Sequence, residues 1–247
     1  MQISHLKHDF DIIEKIVRVG VPSATEQSMS ALAMITLTAM VASFPPAVVA
    51  AFGLGNRLIS LVFLPAIGLG RATNTMVGQN LGADKVDRAA RSVRIASLAA
   101  ASFLIVVAVV AALFPEPIIA VFMRGDTVTG AETIRLGSEY LRIRAVEFGF
   151  IGVLQVVLGA FRGAGNTKTA MTISIVTLWI GRVPTVYYLA FMSGLGATGI
   201  WIGMALGNIV GAIVAVAWFT RGTWKEAIID DSARPSAGPN PDVDVED

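Results

Sequence analysis

Glu26 and Gln27, Asn56, Arg57, Arg71, Glu147, Gln155, Arg182 and Asn208 interrupt long apolar runs of the chain. In an apolar setting such side chains do one of two things. They tie helices together, or they line a wet path for ions and polar solutes, because an unpartnered charge there is costly. Long Arg side chains near helix ends can instead run out to the interface. The candidate pathway residues are Glu26, Gln27, Asn56, Glu147, Gln155, Arg182 and Asn208. Glu147 and Arg182 have opposite signs and fall at matching depth when helices are counted at about 1.5 Å per residue. The expectation is therefore an ion-pair tie from Glu147 to Arg182 or to Arg57. If Glu147 instead faces a wet cavity, it becomes a proton or cation site, with Glu26 as the second candidate.

Other chemistry is excluded by type and spacing. The chain has no cysteine and only two histidines, His5 and His8, so no metal site and no thiolate nucleophile is expected. "GLGATG" at 194–199 fits a dinucleotide fingerprint, but residues 183–220 carry no charge and the required acid is missing. "GAGNTKT" at 163–169 has Thr167, not glycine, before Lys168, so it fails as a phosphate loop. No enzyme and no cofactor is expected. A net charge of +1 gives no reason to expect nucleic acid.

The elements that must position these residues are membrane helices. Of the 247 residues, 54% are hydrophobic and 15% charged, and the mean hydropathy is +0.68; globular domains have about a quarter charged. Six spans are expected, at about 21–43, 47–81, 95–115, 132–162, 169–191 and 199–219. They divide the chain into an amphipathic cytoplasmic leader helix (1–20), a six-helix transmembrane domain (21–222) and an acidic disordered cytoplasmic tail (223–247). Gly82 is expected to end the second helix and Asp84 to cap the third. Cations gather at alternate joints: Lys85, Arg88, Arg91 and Arg94, then Arg162 and Lys168, then Arg221 and Lys225. The positive-inside rule makes those joints and both termini cytoplasmic. Gly199, Gly203, Gly207 and Gly211 form a smooth stripe suited to close helix packing.

"GLGRATNTMVGQNLGADKVDRAAR" (68–91) and "EYLRIRAVEFGFIGVLQVVLGAFRGAGNTKTA" (139–170) resemble one repeat of the multidrug and toxic compound extrusion (MATE) family, as do "VGVPS" (19–23) and "GLGATGIWIGMALGN" (194–208). The resemblance covers about 15–222 and is closest to a C-terminal lobe. It implies a multi-pass cell-membrane protein: one six-helix lobe of a cation-coupled (H+ or Na+) exporter of drugs or organic cations. Such a lobe alternates access with a second lobe, supplied by a separate chain or as a homodimer. The chain departs from the family's carboxylate pattern: no acid stands near Thr36 and Thr38, and Ile151 and Gly152 occupy the place of another. Two other readings stay open. One is a lobe of a related lipid-linked sugar flippase, which would want a more cationic centre than these few central charges suggest. The other is a non-transporting truncated bundle or assembly subunit.

Overall fold

The computed structural model describes residues 10–122 and 128–225. Eight helices account for most of them: α1 (Phe10–Ala42), α2 (Pro46–Gly82), α3 (Val86–Leu113), α4 (Pro115–Ala120), α5 (Val128–Ala145), α6 (Phe148–Gly163), α7 (Thr167–Met192) and α8 (Gly196–Thr220). Prolines open α2 and α4, where a missing N–H costs nothing. Helices α2, α3, α7 and α8 are each long and apolar enough to cross a membrane. Helices α5 and α6, bent by 53° across Val146 and Glu147, are together long and apolar enough for a fifth. Helix α1, 33 residues long, packs along α7 and carries Ser23, Glu26 and Gln27, which lower its hydropathy below that of the other long helices.

Several boundaries differ from the sequence expectation. Helix α1 runs unbroken from Phe10 through Pro22, so no separate leader helix ends at residue 20. The fourth span is two helices, because the chain bends at Glu147 rather than at a Gly or Pro. Helix α2, by contrast, ends at Gly82 as expected, with Ala83 as its cap residue. Asp84 does not cap α3: it takes a positive φ of 56°, and Lys85 occupies the cap position without a side-chain bond. At the C-terminal end, Trp224 is buried and stacks on Phe219 at 4.7 Å, so the packed body reaches Trp224, past the expected boundary at residue 222. The expected tail beyond Lys225 lies outside the described residues, as do His5, His8 and Arg124.

Glycines set two close helix crossings. A Cβ at Gly199, Gly203, Gly207 or Gly211 of α8 would collide with Leu189, Val186, Arg182 or Thr177 of α7. The descending order of those partners makes α7 and α8 antiparallel. The expected stripe is thus an α7–α8 interface. A second glycine crossing joins α2 to α6: Gly159 abuts the Gly70 carbonyl and Gly163 the Asn74 carbonyl, in parallel register. In lipid, where apolar burial gives helices little drive to associate, such backbone contact supplies packing energy.

The remaining contacts complete the order. Tyr140, Arg144 and Glu147 meet Trp201, Met204 and Asn208 in turn, so α5–α6 runs parallel to α8. Glu26 and Met29 of α1 meet Ser174 and Trp179 of α7, again in parallel. Alternation therefore brings the start of α1 and the end of α8 to one end of the bundle. Lys85, Arg88, Arg91 and Arg94 are all exposed there.

Candidate functional site

The bend between α5 and α6 builds a buried polar cluster. It lets the Glu147 side chain fold back onto Arg144, whose Nε donates to Glu147 Oε1. Arg144 Nη1 donates to the Tyr140 hydroxyl at 3.2 Å and to Met204 Sδ at 3.3 Å. Asn208 Nδ2 donates to Glu147 Oε2 at 3.0 Å. Glu147 is 0% and Arg144 1% exposed. The pair survives in this core because each carboxylate oxygen has a donor. The expected partners of Glu147 are corrected here. Arg57 is exposed, and Arg182, though in the same region, makes no ion pair with Glu147. Arg144 wins because three residues across a helix break lie closer than any residue on another helix.

A second cluster ties three helices. Glu26 of α1 accepts from Arg162 Nη2 of α6 at 2.6 Å and from Ser174 Oγ of α7 at 2.6 Å. Both bonds fall on Oε1, and Oε2 accepts none among the described residues. Arg162 therefore points inward rather than serving as a free cation at its joint.

Between the clusters lies a cavity of about 570 Å³ walled by α1, α2, α6, α7 and α8. Helix α1 offers Ser23, Glu26, Gln27 and Ser30, which share one face at helical spacing. Glu26, Gln27, Gln155, Arg182 and Asn208 all line it, so five of the expected pathway residues converge. Glu147 sits behind Asn208, and Asn56 does not border the cavity. Leu37, Phe63, Ile67 and Leu154 supply apolar wall. Charge on the lining is uneven: Arg71, Arg162 and Arg182 stand against Glu26. The centre is more cationic than the sequence suggested, because Arg162 turns in and Arg71 faces the cavity.

Arg182 reaches that wall through an irregular helix. Helix α7 contains two π-helical stretches, Val176–Arg182 and Tyr188–Met192. Pro184 between them lacks the N–H that would bond Ile180. Each widened turn shifts the phase of the side chains that follow. The aliphatic stem of Arg182 packs against Gly207, which leaves its head toward the cavity.

Sequence reasoning missed Arg144, Tyr140, Arg162 and Ser174 as members of these clusters. The one legible signal was the Arg144-x-x-Glu147 spacing. Among the described residues, no group of three His, Cys, Asp or Glu side chains could hold a metal ion. A separate groove of about 760 Å³ between α3, α6 and α8 is lined by apolar side chains such as Ile105, Phe150 and Val216.

Comparison with known proteins places this geometry. The MatE family model matches residues 22–188. A probable multidrug resistance protein NorM of Thermotoga maritima is 26% identical over 216 residues, covering 87% of this chain and 46% of that protein. The probable multidrug resistance protein YpnP of Bacillus subtilis is 29% identical over 210 residues, 85% of this chain and 46% of its own. Among solved structures, a MATE in complex with MaL6 aligns with a TM-score of 0.82 at 23% identity, covering 90% of this chain and 49% of that one. An outward-facing multidrug resistance MATE family transporter of the MOP superfamily aligns with a TM-score of 0.72 at 21% identity, over 85% and 46%. The chain spans about half the length of these relatives, the size of one lobe. Matched by the family model over most of its length and folded as those transporters are, this multi-pass membrane chain belongs to the MatE family.

Proposed function

We propose that the chain forms one lobe of a multidrug efflux antiporter, a C-terminal-type lobe working by alternating access against a second six-helix lobe. The observation that carries this is the cavity, lined by polar and apolar side chains, within a bundle of MATE type. Its volume suits a drug-sized solute. Glu26 is the candidate coupling group for H+ or Na+. Its Oε2 is uncommitted, and its Oε1 holds Arg162 and Ser174. A proton or sodium ion taken up there weakens the hold on Arg162 and so loosens α1 from α6. Glu147, with both oxygens bound behind Asn208, takes no part in coupling.

The test is dye efflux in membrane vesicles containing this chain, alone and with a candidate second lobe, under separate proton and sodium gradients. Efflux that needs both the second lobe and one of the gradients supports the reading. Gradient-driven efflux by a demonstrably monomeric chain contradicts the need for a second lobe. Orientation has its own test. Cysteines placed at Lys85 and at Ser193, both exposed, should label from opposite sides of the membrane. Labelling of both from outside contradicts a cytoplasmic α2–α3 turn.

A further inference from the structure

We propose that the cavity holds the oxyanion of an amphipathic solute, a carboxylate or a phosphate, on the guanidinium of Arg182. The inference rests on the transport reading above and names the class of solute.

Arg182 is 9% exposed, its Nε is buried without a hydrogen-bond partner, and no bond from its Nη atoms exists among the described residues. Its nearest carboxylate cannot serve it. Glu147 gives Oε1 to Arg144 and Oε2 to Asn208. The other cavity carboxylate, Glu26, is held by Arg162 and Ser174. Among the described residues Arg182 is thus left without an ion-pair partner of its own, packed at its stem against Gly207 and lining the cavity. A cation desolvated in this way is costly until an anion meets it. A guanidinium offers the planar fork that carboxylates and phosphates accept. Arg71 lines the same cavity and adds a second positive charge. Leu37, Phe63, Ile67 and Leu154 give the same cavity an apolar wall. An anionic head with an aromatic or aliphatic body satisfies both walls. An organic cation would have to displace Arg162 from Glu26 and then share the space with Arg182.

The experiment compares two probes with one body and opposite charge, pyrenebutyrate and pyrenebutylammonium. Each is titrated against the full chain in a neutral detergent, with binding read as energy transfer from tryptophan. Trp179 bridges α1 and α7 through its bond to the Met29 carbonyl. The carboxylate should bind about tenfold more tightly than the ammonium, as expected for one charge-assisted bond to a desolvated group. Arg182→Gln should bring the two affinities together, and Arg71→Gln should narrow the gap by a smaller factor. Tighter binding of the ammonium overturns the proposal while leaving the transport reading intact, and so does a preference unchanged in Arg182→Gln. No saturable binding of either probe overturns both. The sign of the preference in the unsubstituted chain decides even if Arg182→Gln does not fold. Repeating the titration in phosphatidylcholine nanodiscs, with and without phosphatidate, separates the sources of the oxyanion. Displacement of pyrenebutyrate by phosphatidate assigns the site to a lipid head group, and no displacement assigns it to a free solute; either keeps the oxyanion site.

Discussion

Two of the Arg–Glu pairs in the lobe, both set inside the bundle, are chemically alike and differently placed. Arg144 and Glu147 are three residues apart, with side chains 1% and 0% exposed. Arg162 and Glu26 are 136 residues apart, at 29% and 7%. The first pair sits behind the cavity wall, with every oxygen of its carboxylate bound. The second opens on the cavity and keeps one oxygen uncommitted. The same two residue types therefore do different work. A sealed pair fixes the bend between α5 and α6. An accessible pair can exchange its partner for a proton or an ion. Under the coupling proposed for Glu26, access rather than residue type separates a tie from a switch.

The largest effect should come from breaking the sealed pair. Glu147→Ala leaves Arg144 buried without a counter-charge and should cost about 3–5 kcal/mol. Thermal unfolding in detergent measures it. The double variant Arg144→Met, Glu147→Leu should recover much of that loss, since a buried pair can be replaced by packed apolar groups. The charge swap Glu147→Arg with Arg182→Glu should not recover it, because Arg182 is not the partner. Recovery by the swap would make Arg182 the true tie and undo the contrast between the two pairs.

A smaller effect tests how Arg182 is kept apart from Glu147. Gly203→Leu or Gly207→Leu forces α8 away from Val186 or Arg182 of α7. Overpacking of this kind costs about 1–3 kcal/mol. Ile202→Leu, at a half-buried neighbour, conserves volume and should cost under about 1.5 kcal/mol. Gly207→Leu should also shift the head of Arg182 and so weaken pyrenebutyrate binding, which Gly203→Leu should spare. Equal stability of all three variants would remove the stripe from the interface.

How much of this was legible follows from where the information lies. Pro46 and the uncharged run that ends with α3 announce helix limits through local chemistry. The glycine stripe on α8 shows because its four-residue period is regular. The bend at Glu147 has no such mark: the break is held by a side-chain bond to Arg144 and by Asn208 from another helix. The leader boundary expected at residue 20 has no counterpart, since α1 continues through Pro22. Likewise, Arg162 looked like one more interfacial cation, and only Glu26, far away in sequence, turns it inward. Convergence of Glu26, Gln27, Gln155, Arg182 and Asn208 was readable as a set of polar interruptions. The sign of the cavity was not, because it depends on which charges cancel in space.

The smallest change in stability should accompany the largest change in coupling, at Glu26. Glu26→Gln keeps a carbonyl oxygen that can still accept from Arg162 and Ser174. The pair is partly exposed, so the loss should be no more than about 1 kcal/mol. What disappears is the charge that a proton or a sodium ion would neutralise. With the second lobe present in proteoliposomes, Glu26→Gln should bind solute but show efflux that no longer responds to the proton or sodium gradient. Arg162→Gln separates the roles further. It leaves Glu26 without its guanidinium, so an ion should bind there more readily and coupling should persist with a shifted ion dependence. Were Glu26→Gln to keep full gradient dependence, Glu26 would be a second tie like Glu147, and the distinction by access would not extend to function. Were Glu26→Gln instead to destabilise the lobe as strongly as Glu147→Ala, the cavity at α1 would be closed to water, and the coupling group would have to be sought outside this lobe.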